Sequence, residues 1–134
     1  MANTQTKTHI TQVGTIGIPV SDQNRALDFY VGKLGFEKKL DTSYGAGERW
    51  VDVAPPAGTT TIALVQAPRG EHTGVDTQIR LMTDNAEATF TSLRAAGVKT
   101  DNEILRRPIP MFAFKDPDGN RLVIVEQQKT RQSA

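Results

Sequence analysis

The stretch Asp116–Glu126, DPDGNRLVIVE, decides the fold. Asp116, Pro117 and Gly119 suit the first, second and fourth positions of a type I turn. The run Leu122–Val125 that follows is apolar and mostly β-branched, as in a strand buried on both faces. The stretch therefore reads as a tight turn feeding the last strand of the chain.

Working back from it, the pattern strand–helix–three strands occurs twice. In the second half, Thr77 to Met82 reads as a strand. Asp84 and Glu87 form a capping box that opens a helix through Phe90, Leu93 and Ala96, and Gly97 ends it. Strands near 98–105, 111–114 and 121–125 complete that half. In the first half, Val13 to Val20 is a strand, and Ser21 or Asp22 caps a helix over about 23–34 that Gly35 ends. Strands over 36–41, 48–53 and 60–65 follow. The halves superpose at a shift of 62 residues, as from Asp22 to Asp84, Gly35 to Gly97 and Trp50 to Phe112. The expected fold is α+β, two tandem βαβββ modules forming a curved mixed sheet. The boundaries are a polar lead-in at 1–12, a first module at 13–66, a linker at 67–76, a second module at 77–126 and a polar tail at 127–134.

Composition limits the function. The chain has 134 residues and no cysteine, which excludes disulfides, thiolate metal sites and cysteine nucleophiles. Lys+Arg 16 against Asp+Glu 15 gives a net charge of +1, with no basic tract interleaved with aromatics, so nucleic-acid binding is not expected. No apolar run approaches the roughly 18 residues of a membrane span, and the first dozen residues lack a signal-peptide core. A cytoplasmic protein is the expectation. No Gly-x-Ser-x-Gly setting or phosphate-cradling glycine loop is present.

Three stretches carry a resemblance to a known family: Pro19–Phe36, PVSDQNRALDFYVGKLGF; its weaker echo Thr83–Val98; and FKDPDGNRLVIVE near the end. Together with the repeat, the sequence resembles the vicinal oxygen chelate superfamily, which includes glyoxalase I, extradiol dioxygenases and bleomycin-resistance proteins. The resemblance implies a trough between the two sheets as the ligand site and a homodimer as the assembled state. It also implies a divalent metal held by four inward-facing His, Glu or Gln side chains. The matching positions here are Thr15, Ala63, Thr77 and Val123. Threonine, alanine and valine supply neither the imidazole nor the carboxylate such a site needs. No metal cofactor is therefore expected.

Other residues remain as candidates. Alternation places Thr15 and Gly17 on the trough side of the first strand and Ile16, Ile18 and Val20 on the helix side. The same register turns Thr77 and Ile79 inward and Arg80 toward the helix, where a charged side chain fits poorly unless it lies near a sheet edge or the register slips. Trp50 and Asp52 share a strand face; if that face lines the trough, Asp52 is the best candidate acid or base, and if not, the pair lies outward. His72, in the linker, is the other catalytic candidate. Arg49 is placed to hold an anionic ligand group or to form a salt bridge. Phe112 and Phe114 share a strand face and either stack on a planar ligand or belong to the core. Tyr44 sits in a glycine-bearing loop at the edge of the site. The leading expectation is metal-free binding of a small hydrophobic or planar drug or metabolite, with no nucleic-acid or membrane partner. The alternative is an enzyme of the same fold, a lyase, isomerase or dioxygenase acting on a small carbonyl or aromatic substrate; lyase or isomerase chemistry is favoured over a metal-dependent dioxygenase.

Overall fold

A computed structural model describes residues 7–68 and 72–128. Arg69, Gly70 and Glu71 of the linker, and the outer parts of the lead-in and tail, lie outside the described residues. The first module contains β1 (Thr15–Val20), α1 (Gln23–Tyr30), β2 (Glu37–Ser43), β3 (Arg49–Ala54) and β4 (Thr61–Gln66). The second contains β5 (Asp76–Thr83), α2 (Ala86–Ala95), β6 (Lys99–Thr100), β7 (Met111–Lys115) and β8 (Arg121–Glu126). Each module folds its four strands into one mixed sheet, in the order β1-β4-β3-β2 and β5-β8-β7-β6. The first and last strands of each module run parallel, and the other neighbours are antiparallel. This is the expected α+β duplication of βαβββ units.

Local chemistry sets the helix ends. Asp22 has an extended backbone, and its carboxylate accepts the amide of Arg25, which makes it the N-cap of α1. In the second module the cap is Asn85, not Asp84: the Asn85 side chain accepts the Ala88 amide from an extended backbone. Glu87, expected to close a capping box, instead pairs with Arg106 at 2.8 Å. Gly35 and Gly97 follow the two helices at φ of +79° and +83°, a conformation that favours glycine.

One hydrophobic core serves both modules. Ile18, Val51, Ile62 and Leu64 from the first sheet meet Phe112, Phe114, Leu122 and Ile124 from the second, with Phe29 and Leu93 of the two helices among them. Burial of each such side chain stabilises the fold by roughly 1.5–3 kcal/mol. A separate small cluster, Ala113, Val123 and Val125 with Ile109 and Met111, lies on the other face of the second sheet. Both sheets thus spend their helix-side faces on the shared core, and their open faces are turned away from it.

The DPDGN turn joins the modules. The Asp116 carboxylate, 5% exposed, accepts the amides of Asp118 and Asn120 on one oxygen. Its other oxygen accepts the Tyr30 hydroxyl and the Asn120 side-chain amide, each at 2.9 Å. Asn120, fully buried, also donates to Pro19 O and accepts Gly74 N and Val75 N. Asp118 adds bonds to Ser21 and Arg25 at the start of α1. A turn of the second module is thereby bonded to β1 and α1 of the first.

Candidate functional site

The open face of the first sheet carries Trp50 and Asp52 of β3, Thr42 and Leu40 of β2, and Ala63 of β4. Cross-strand pairing places Trp50 opposite Thr42, and Asp52 opposite both Leu40 and Ala63. The intervening residues Val51 and Val53 enter the core, so alternation fixes Trp50 and Asp52 outward from it. Trp50 is 38% exposed and Tyr44 52%. Together with Ala63, Val65, Gln66 and Pro68 they line a cleft of about 640 Å³.

The cleft opens where two strands part. β3 and β4 pair at Asp52–Ala63 and Val53–Ile62. Beyond that ladder the buried side chain of Gln23 donates to Arg49 O at 3.0 Å and Leu64 O at 2.9 Å. The amide satisfies two carbonyls that would otherwise be orphaned in the gap. As the first residue of α1, Gln23 gave no sequence signal of this role; only the splaying of the strands reveals it.

Asp52 is half-buried, and its Oδ1 is inaccessible to solvent and has no hydrogen-bond partner among the described residues. A carboxylate oxygen in that state costs free energy unless a donor reaches it. Arg49 is oppositely placed: it points to the helix side. Its Nε and Nη2 make a two-pronged bond to Asp41 at 2.8 Å each, and Nη1 reaches Asn24 of α1 at 2.8 Å. Hydrogen bonds from Arg49 and then Lys38 hold the Asp41 carboxyl well below its ordinary range. The Arg49 guanidinium is correspondingly raised by Asp41. Its charge is committed to a clamp between α1, β2 and β3, and the residue also borders the cleft.

Here one open reading is settled and one register expectation changes. Phe112 and Phe114 are each 1% exposed and belong to the core, Phe112 edge-on to Phe90 at 5.0 Å and Phe114 against Phe29 at 6.1 Å. The shift of 62 that matched Trp50 to Phe112 is one residue too long at this strand, where core-facing Val51 corresponds to Phe112. A slip of one residue reverses a strand's faces. Ile79 likewise packs on the core with Leu81, while Arg80 lies opposite Val123 on the open face. An irregularity between Asp76 and Arg80, with Gln78 at φ +61°, reverses the register assumed for β5. Thr77, expected to face inward, turns its hydroxyl to Arg121 O at 2.7 Å.

The four metal-ligand positions implied by the resemblance are dispersed in chemistry as well as place. Thr15, exposed at the start of β1, donates to Thr61 O, and Thr77 is engaged as described. Ala63 and Val123 are buried apolar residues on the open faces of two different sheets. This donor set does not fit a divalent cation. Among the described residues no three His, Cys, Asp or Glu side chains come together as a metal site. His72 is exposed on the linker and lines none of the clefts described. No described helix is long and apolar enough to cross a membrane.

Duplicated βαβββ modules, a buried turn that ties them and an open-faced cleft define a protein of the vicinal oxygen chelate type. The chain belongs to the Glyoxalase/Bleomycin resistance protein/Dioxygenase superfamily, which it matches over residues 9–124. A member of that superfamily from Sphaerobacter thermophilus DSM 20745 is 36% identical in sequence. Its crystal structure matches with a TM-score of 0.83, over 88% of this chain and 98% of that one. TnmS3, an antibiotic binding protein from Streptomyces sp. CB03234, is 32% identical with a TM-score of 0.80, over 91% of this chain and all of that one (100%). YetH of Bacillus subtilis strain 168 is 29% identical over 125 residues, 87% of this chain and 99% of its own length.

Proposed function

We propose that the protein binds a small hydrophobic or planar molecule on the open face of its first sheet, without a metal. The observation that carries this reading is the placement of Trp50. A half-exposed indole, with Tyr44, Val65 and Pro68 around it, walls a cleft of about 640 Å³, within the usual range for a drug-sized ligand. Ring stacking on Trp50 supplies affinity for a flat molecule. The 32% identity to an antibiotic binding protein supports a drug or secondary metabolite as the ligand class. A homodimer is part of the same reading. Val65, Met82 and Leu40 are exposed, and Ala113, Val123 and Val125 form an apolar cluster on an open face. A second copy covering these faces would remove apolar surface from water.

Trp50 is the single tryptophan of the chain, so its fluorescence reports on the cleft directly. Titration with a panel of planar polycyclic antibiotics is expected to give saturable quenching. If no compound changes the emission and Trp50→Ala leaves every measured affinity intact, the reading fails. Sedimentation at several protein concentrations tests the dimer.

A second reading rests on Asp52. Its partnerless buried oxygen suits a general base in a lyase or isomerase acting on a small carbonyl compound. Turnover of such a compound that is lost in Asp52→Asn, with binding retained, would favour this reading over binding alone.

A further inference from the structure

Three cations face one another across the open side of the second sheet. The antiparallel register sets Lys99 of β6 opposite Lys115 of β7, and Lys115 opposite Arg121 of β8. Lys115 and Arg121 share the face of Ala113 and Val123, because Phe114 and Leu122 between them enter the core. Like charges set directly opposite each other destabilise a sheet. Arg121 is compensated by Asp76 at 3.3 Å. Among the described residues, Lys99 and Lys115 form no ion pair.

The space around them is concave. With Thr100, Asp101 and Asn102, the three cations line a cleft of about 390 Å³. A second cleft of about 540 Å³ shares Lys99 and Lys115 and adds Lys33 from the turn after α1. The acids that share these clefts keep their charge but are held by other hydrogen bonds. Asp101 accepts the Ala113 amide, Asp116 accepts four hydrogen bonds, and Asp118 is bonded to Ser21 and Arg25. Lys99 and Lys115 therefore form a ridge between two clefts, and among the described residues no carboxylate lies within ion-pair distance of either.

We propose that this row binds a phosphate-type anion, free or carried on a small molecule. The ammonium group of lysine is a compact point charge that suits phosphate oxygens. Neighbouring strands lie about 4.8 Å apart, so the row extends about 10 Å, enough for a diphosphate to touch adjacent cations. An anion between Lys99 and Lys115 would turn an unfavourable cross-strand pair into a favourable one. The site is separate from the Trp50 cleft and does not depend on the ligand bound there.

The test is calorimetric titration of the full chain with sodium pyrophosphate, against sodium chloride at matched ionic strength, with inorganic phosphate and a phosphate monoester as further arms. Lys99→Gln/Lys115→Gln is the test variant. Lys39→Gln, at a lysine already paired with Glu37, is the control. Saturable binding of pyrophosphate is expected, weakened at least tenfold in the double variant and unchanged in the control. The melting temperature of the double variant without anion should equal or exceed that of the wild type, which separates lost binding from lost folding. A stronger response to the monoester than to phosphate would support a carried anion. Heats indistinguishable from those of sodium chloride, or equal affinity in the double variant, would overturn the proposal.

Discussion

The side-chain amide of Asn120 donates to the carbonyl of Pro19 at 2.8 Å, joining positions 101 residues apart. The same side chain accepts Gly74 N and Val75 N, so one buried residue ties the end of β1, the turn before β8 and the approach to β5. Asn120→Ala would orphan those three backbone groups. At about 1 kcal/mol or more for each, the loss should be roughly 3 kcal/mol, read as a lower urea midpoint at unchanged slope.

Tyr30 predicts an alkaline limit. Burial first, and the Asp116 carboxylate second, hold its phenol protonated far above its ordinary range. The unfolded phenol ionises near pH 10 while the folded one does not. Stability from this group is thus intact below about pH 10 and falls as pH rises beyond it. Tyr30→Phe should weaken this fall, measured as the difference in urea midpoint between pH 8 and pH 11. An identical fall in both proteins would contradict it.

Phe112 separates core from cleft. Phe112→Ala should cost about 3–5 kcal/mol. The milder Phe112→Leu should fold and retain the affinity of the Trp50 cleft for any ligand found there. Loss of binding in a stable Phe112→Leu protein would contradict the placement of this ring.

Trp50→Ala should behave in the opposite way. The indole is 38% exposed, so its removal should change stability by about 1 kcal/mol or less while weakening ligand binding tenfold or more. Equilibrium unfolding and ligand titration on the same preparation check both halves.

Asp52 offers a test that a purely structural carboxylate would fail. Because its Oδ1 lacks a partner, Asp52→Ala should leave stability unchanged or raise it by up to about 1 kcal/mol. A ligand that supplies a donor to this oxygen should bind the variant more weakly. A clear loss of stability in Asp52→Ala would mean that the oxygen is satisfied in solution.

Punctuation was the legible part of the fold. Asp22, the paired Gly35 and Gly97 and the DPDGN turn act through local backbone geometry, which neighbouring residues determine. Strand facing was less legible, because it accumulates along the chain. The irregularity at Gln78 and the one-residue difference between β3 and β7 each reverse a face: Ile79 lies opposite to the sequence expectation, while Phe112 and Phe114, left open between ligand and core, fall to the core, and Arg80 falls to the open face. Trp50 and Asp52 share a face in either register, and the sequence left open which one. The pairing of Arg49 with Asp41, and the bridging role of Gln23, depend on which strands meet and where they part. Neither is encoded within any short window.

The shared core has a consequence for dosage. With both helix-side faces already occupied, a single chain cannot close its two open faces around one guest. A guest enclosed on both sides would need contributions from two molecules, and its apparent affinity would then follow the protein's own concentration by mass action. Dilution alone would release such a guest, whereas a guest held only by Trp50 and its neighbours would stay at its intrinsic affinity.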